Sequence, residues 1–124
     1  MDKNMKILIV DDFSTMRRII KNLLRDRGFT NTVEADDGYT ALPMLKEGDF
    51  DFVVTTWDMP VINGIDLLKH IRKDPKLKSL TVLMVLESQN KEHMTEATQA
   101  GANGCLVAPF TAGALTEELD RVLG

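Results

Sequence analysis

Short apolar runs alternate with amphipathic stretches along this chain. Most of the runs lack the apolar–polar alternation of a half-buried strand, so they predict strands that are buried on both faces. We predict strands over residues 6–10, 32–35, 52–56, 81–86 and 104–107. The stretches between them carry apolar residues at helical spacing, as at Met16, Ile19, Ile20 and Leu23. This alternation indicates right-handed crossovers and an α/β fold, with a five-stranded parallel sheet and helices on both faces.

Turn and capping residues mark the ends of several predicted helices. After the first strand, Ser14 is placed to cap a helix that Gly28 ends. The second helix follows residues 36–38, and we expect Pro43 in its first turn, where a missing N–H is tolerated. Asn90 is placed to cap the helix that follows the fourth strand.

Length and composition predict one globular domain over residues 1–124. The chain has 124 residues, of which 44% are hydrophobic and 27% charged, and this is enough to form a core. It has no apolar run near the roughly 20 residues of a membrane span and no signal peptide, so we expect no membrane association. The single cysteine, Cys105, cannot form an internal disulfide, which fits a reducing, cytoplasmic location.

The net charge of -4 is unevenly distributed along the chain. Residues 1–86 carry 13 basic and 13 acidic side chains, whereas residues 87–124 carry two basic and six acidic ones. Phosphate backbones are bound by clustered lysine and arginine, so this distribution argues against a nucleic-acid partner.

Acidic residues follow the first and third predicted strands. Asp11 and Asp12 come directly after the first strand, and Asp58 lies two residues beyond the third. The carboxyl ends of parallel strands meet at one edge of a sheet, where ligands bind, and paired carboxylates there suit Mg²⁺. The three aspartates are therefore candidate Mg²⁺ ligands, and without a metal at least one pKa should rise. The alternative is that Asp12 or Ser14 only caps the next helix.

Five motifs then occur in a fixed order. They are Ile-Leu-Ile-Val-Asp-Asp at 7–12, Ala-Asp-Asp-Gly at 35–38, Trp-Asp-Met-Pro at 57–60 with Gly64, Ala-Gly-Ala-Asn-Gly at 100–104, and Pro-Phe at 109–110. On these motifs, residues 6–122 resemble the receiver domain of two-component response regulators, in particular the stand-alone chemotaxis regulators. The resemblance implies a flavodoxin-like (βα)5 fold with strand order 2-1-3-4-5.

The resemblance also implies which residues occupy the family's phosphotransfer positions. Family members accept a phosphoryl group from a histidine kinase onto an aspartate at the end of the third strand, beside Mg²⁺. Here that position is Thr56, the family's hydroxyl position is Leu86 and its lysine position is Ala108. Cys105 stands where the family has a switching aromatic, and the carbonyl metal ligand would come from Asp58.

These substitutions remove the chemistry of phosphoryl transfer. A threonine hydroxyl is a far poorer nucleophile than a carboxylate unless a base activates it. Without the lysine, no cation offsets charge on the transferred group. We therefore predict a non-enzymatic pseudo-receiver, natural or engineered, that acts by binding proteins without phosphorylation. The alternatives are a phosphorelay receiver that uses Thr56 or Asp58 as acceptor, and a small enzyme in which Glu87 is a general base.

The family's partner face comprises helix 4, strand 5 and helix 5. On this chain it would present Gln89, Met94, Thr98, Ala102, Cys105, Val107, Glu118 and Arg121. The resemblance implies a histidine kinase or the flagellar switch as partner of a monomer. Glu118 stands where the family commonly has lysine, which argues against the switch. Cys105 is predicted to be half-buried, and His70 and His93 to face solvent without forming a zinc site.

Overall fold

The computed structural model describes residues 2–124 and contains five parallel strands in the order β2-β1-β3-β4-β5. The strands are β1 (Ile7–Val10), β2 (Thr32–Ala35), β3 (Phe52–Thr56), β4 (Thr81–Leu86) and β5 (Gly104–Val107). The helices are α1 (Ser14–Asp26), α2 (Gly38–Glu47), α3 (Gly64–Lys73), α4 (Lys91–Ala100) and α5 (Ala112–Leu123). The predicted flavodoxin-like α/β fold and its strand order are confirmed.

The sheet separates two apolar clusters. Side chains of α2, α3 and α4, such as Leu45, Leu68 and Ala97, pack with alternate strand residues on one face. Side chains of α1 and α5, such as Leu24 and Leu119, pack with the remaining strand residues on the other. The central strands β1 and β3 are buried along their full length, which explains why their sequences do not alternate.

Two local predictions about helix ends are wrong. Phe13, not Ser14, is the N-cap of α1 and makes no side-chain capping hydrogen bond, while Ser14 is the first helical residue. Asp12 does not cap α1 either. Pro43 lies in the interior of α2, because Asp37 caps that helix by accepting a hydrogen bond from the Thr40 N–H and so starts it earlier. Pro43 therefore leaves the Tyr39 carbonyl without its helical donor.

Other helix ends agree with the sequence. Asn90 caps α4 by accepting hydrogen bonds from the N–H groups of Glu92 and His93. Gly28 and Gly101 follow α1 and α4 with φ of 93° and 106°, in the left-handed region that favours glycine. Within residues 2–124, no helix combines the length and apolar composition required to span a membrane.

Candidate functional site

The carboxyl ends of β1, β3, β4 and β5 bring the predicted phosphotransfer positions to one edge of the sheet. Val10 pairs with Thr55, so Asp11 and Thr56 follow at the same level of adjacent strands. Leu86 ends β4 beside Val107 of β5. The order of the strands therefore sets side chains that are far apart in sequence around one edge.

Asp11 is a buried carboxyl group at this edge. Its side chain is 3% exposed, and its Oδ1 accepts a hydrogen bond of 2.9 Å from the Phe13 N–H. Burial raises its pKa from 3.8 to about 6, and the neighbouring charge of Asp12 adds to the rise. The Arg17 guanidinium is held nearby, because it donates to the Asp11 carbonyl and to Glu34. Burial is thus a larger cause of the raised pKa than the repulsion between the two carboxylates that the sequence analysis considered.

Thr56 ends β3 in a tightly packed position. It is 5% exposed and pairs with Val85. Its carbonyl oxygen accepts a hydrogen bond from the Thr55 hydroxyl and lies 2.1 Å from where a Cβ on Gly64 would be. Only glycine at position 64 permits this approach of α3. The backbone of Thr56 is thus closely packed against the start of α3.

A shallow cleft of about 400 Å³ opens at the same edge. It is lined by Asp12, Phe13, Asp58, Met59, Pro60, Asn63 and Glu87. The structure therefore brings Asp12 and Asp58, two candidate metal ligands, together with Glu87, the candidate general base. Asp11 and Thr56 are buried and do not line this cleft.

The donor set does not fit the family's metal site. Asp11 and Asp58 differ in environment, one buried and hydrogen-bonded to the backbone, the other exposed. Within residues 2–124, no three His, Cys, Asp or Glu side chains converge closely enough to hold a metal ion. The carboxylate that the family's acceptor supplies is missing at Thr56.

The positions of the family's hydroxyl and lysine carry apolar side chains. Leu86 is 1% exposed, and its carbonyl accepts a 2.7 Å hydrogen bond from the Ala108 N–H. Leu86 and Ala108 offer neither a hydroxyl nor a cation to a phosphoryl group. Glu87, the next residue, is exposed.

A stacked pair of aromatic rings, which the sequence analysis missed, joins α4 to the end of β3. The imidazole of His93 lies parallel to the indole of Trp57, with ring centroids 4.2 Å apart and an interplanar angle of 9°. Trp57 is only 7% exposed, and its backbone N–H donates to the Val85 carbonyl. His93 is half-buried, so the prediction that it faces solvent holds only in part, whereas His70 is exposed as predicted. An aromatic directly after the acceptor position was the signal for such a contact.

The residues of the predicted partner face lie on α4, β5 and α5 and the loops beside them, and none of them is buried. Glu118 forms an ion pair with Arg121 at 2.8 Å, and the Arg121 guanidinium also donates a hydrogen bond to the Asn103 carbonyl. Cys105 is half-buried, as predicted, and burial together with the charge of Glu118 raises the pKa of its thiol. The thiol is therefore a weak nucleophile.

Comparison with known proteins gives consistent matches over nearly the whole chain. The family profile described as response regulator receiver domain matches residues 7–120. Chemotaxis protein CheY-3 of Vibrio cholerae serotype O1 is 67% identical over 122 residues, covering 98% of this chain and 94% of that protein. Chemotaxis protein CheY of Pseudomonas aeruginosa is 64% identical over 118 residues, covering 95% of each. The solved structure of the chemotaxis response regulator CheY4 of Vibrio cholerae superposes with a TM-score of 0.88 at 32% identity, covering 96% of this chain and 98% of that one.

Proposed function

The chain belongs to the response regulator receiver family, and from this premise we propose that it acts in chemotactic signalling as a protein-docking module that needs no phosphorylation. It binds other signalling proteins in the cytoplasm and turns over no substrate. A histidine kinase is the partner class that the family membership favours, since the relatives are chemotaxis proteins.

The observation that carries this proposal is the buried threonine at the end of β3. Thr56 stands 5% exposed at the acceptor position, so its hydroxyl, a far poorer nucleophile than a carboxylate, is also largely shielded from a phosphoryl donor. Leu86 and Ala108 complete an edge that lacks the groups needed to bind a phosphoryl oxygen. Attack, charge stabilisation and sensing are therefore impaired together.

The Trp57–His93 stack supports a fixed docking surface. Parallel rings 4.2 Å apart join α4, which borders the partner face, to the residue directly after Thr56. Aromatic pairs of this kind stabilise a contact by about 0.5–1.5 kcal/mol beyond the burial of their area. We infer that α4 keeps one position, so partners meet the same surface whether or not a phosphoryl donor is present.

Phosphorylation is tested by intact-mass measurement after incubation with acetyl phosphate and Mg²⁺. The unchanged protein should gain no phosphoryl group. The positive control is the triple variant T56D/L86T/A108K, which restores the family's acceptor, hydroxyl and lysine and should gain one. A phosphoryl group on the unchanged protein would overturn the proposal.

The position of Asp58 supports one alternative acceptor. Its exposed carboxylate lines the cleft with Asp12 and Glu87, so a donor can reach it. If the unchanged protein gains a phosphoryl group, D58N and T56V identify the acceptor. An acyl phosphate on Asp58 would be labile to hydroxylamine, whereas a phosphate ester on Thr56 would persist. Either result favours a phosphorelay receiver.

A further inference from the structure

A groove between α2 and α3 shares no lining residue with the acidic cleft or the predicted partner face. Its volume is about 400 Å³, and it is lined by Tyr39, Leu42, Pro43, Lys46, Glu47, Ile62 and His70. Most of this lining is apolar, unlike that of the acidic cleft.

Two features of the groove are suited to contact with a partner. Tyr39 is 71% exposed at its edge, although large aromatic side chains are usually covered. Exposed tyrosines beside apolar pockets are frequent anchors of protein interfaces. Pro43, one turn further along α2, has no N–H to pair the Tyr39 carbonyl, so this acceptor is available to a polar group of a partner.

Three lysines and two acidic residues, among them Glu47 beside Lys46, lie along the groove and the depression next to it. Past Ile62 and His70 the groove continues into a depression lined also by Asp66, Lys69 and Lys73. Lys46 and Lys73 lie in the last turns of α2 and α3, which run in the same direction, so both lie toward the same end. Among residues 2–124, neither lysine is within ion-pair distance of an acidic side chain. At this end Lys46 and Lys73 outnumber the acidic lining residue Glu47, so the end carries a small net positive charge.

We propose that this groove binds an amphipathic helix of a partner protein. Apolar residues on one face of that helix pack against Tyr39, Leu42 and Ile62, and acidic residues at one of its ends pair with Lys46 and Lys73. A helix laid in an apolar groove is a recurrent form of recognition, and charge complementarity sets its direction. This second docking surface goes beyond the proposed function and does not depend on whether the protein is phosphorylated.

The test is panning of a displayed library of helical peptides on the folded protein. Apolar residues are fixed at i, i+3, i+4 and i+7, and all other positions are random. We expect the selected peptides to be enriched in Asp and Glu at one end. Their affinity, measured by fluorescence anisotropy, should fall at least about tenfold for Y39S and for K73E, the loss that follows when an interface anchor worth about 1.4 kcal/mol is removed.

Matched substitutions elsewhere on the surface serve as controls. I19S removes a 43% exposed apolar side chain on the opposite face of the sheet, and K91E reverses an exposed lysine on α4. Both should leave the affinity within about twofold. Circular dichroism melts of all four variants show whether each is folded.

Several outcomes would overturn the proposal. They are no enrichment above the bare support, selected peptides that carry lysine instead of acidic residues, or equal affinity for the unchanged protein, Y39S and K73E. Self-association of the unchanged chain in sedimentation, lost in Y39S, would assign the groove to a second copy instead of a partner helix.

Discussion

Asp11 and Asp12 are neighbours in sequence but have different surroundings. Asp11 is 3% exposed, whereas Asp12 is exposed and lines the acidic cleft. Only the buried carboxyl group has lost most of its hydration, which is why burial is the largest cause of its raised pKa. The charge of Asp11 therefore affects the stability of the fold, while that of Asp12 is largely screened by solvent.

Replacing Asp11 by asparagine should stabilise the protein at neutral pH. The pKa of Asp11 in the folded state, about 6, lies above its ordinary value of 3.8, so the folded state binds this proton more tightly. That contribution is complete below pH 3.8 and is lost as the pH rises through 6, at most about 3 kcal/mol. D11N should raise the free energy of unfolding by about 1–3 kcal/mol at pH 7.5 and by little at pH 4.

Urea unfolding at both pH values measures this difference. D12N is the control, and we expect it to change stability by less than about 0.5 kcal/mol, as is usual for an exposed residue. Two results would contradict a raised pKa of Asp11. One is a D11N protein that is less stable than the parent at pH 7.5, and the other is a change in the free energy of unfolding that is the same at pH 7.5 and pH 4.

Among the elements, the loop from β3 to α3 contains a strained residue. Val61 has a φ of 67°, the left-handed region, and is 90% exposed. A β-branched residue is unfavourable there by about 1–2 kcal/mol, and exposure means that little packing offsets this cost. V61N should raise the free energy of unfolding by about 1 kcal/mol, since asparagine tolerates this conformation.

Thermal and urea unfolding of V61N and V61A separate the backbone effect from the side chain. Alanine lacks the short polar side chain with which asparagine forms local hydrogen bonds in the left-handed region, so it should recover less of the cost. If V61A stabilises the protein as much as V61N does, or if neither changes stability, strain at this residue is not the cause.

Arg72 joins the end of α3 to the end of α4. Its guanidinium donates twice to the Gly101 carbonyl, at 2.7 and 3.0 Å, and also to the Leu80 carbonyl at 2.7 Å and to Asn103 Oδ1 at 3.0 Å. The ammonium of lysine cannot reach these acceptors together, although it keeps the charge. R72K should therefore lower the free energy of unfolding by about 2–3 kcal/mol.

Urea unfolding tests this prediction. The control is R18K, at an exposed position of α1, and we expect it to leave the free energy of unfolding unchanged. A small effect of R72K would mean that water replaces the lost hydrogen bonds. That result would show that the positive charge, and not the planar fork of donors, stabilises this corner.

The elements that could be predicted from sequence are those fixed by local signals. Asn90 and Gly101 act through hydrogen bonds and backbone angles within a few residues, so sequence alone was sufficient. Phe13 became an N-cap because Asp11 accepts its N–H, which draws the chain into the turn before Ser14 can cap. The prediction for Pro43 was wrong because α2 begins directly after its N-cap Asp37, which places the proline in the interior of the helix.

At the scale of the whole molecule, the sequence predicted which residues share the edge of the sheet, but not their surroundings. Strand order follows from the family pattern, and it sets Thr56 and Leu86 together. The contact of His93 with Trp57 depends on how α4 packs over the sheet, so helix periodicity alone assigned His93 to solvent. Burial of Asp11 likewise depends on β1, β3 and α1 jointly.

Loss of the acceptor carboxylate should make the whole fold more stable. T56D would place a third carboxylate in a position that is 5% exposed and level with Asp11, where charge is costly. In EDTA we expect T56D to lower the free energy of unfolding by about 1–3 kcal/mol, while the uncharged T56N changes it much less. Millimolar Mg²⁺ should recover part of this loss in T56D only, because a ligand that binds the folded state stabilises it.

Urea unfolding with and without Mg²⁺ measures the free energy of unfolding of the parent, T56D and T56N. A T56D protein as stable as the parent in EDTA would mean that the edge tolerates the charge, and that stability does not explain the absence of the acceptor. Equal stabilisation of parent and T56D by Mg²⁺ would show that Asp11, Asp12 and Asp58 already bind the ion. The predicted order would instead support the proposal that this receiver edge was stabilised when the acceptor carboxylate was lost.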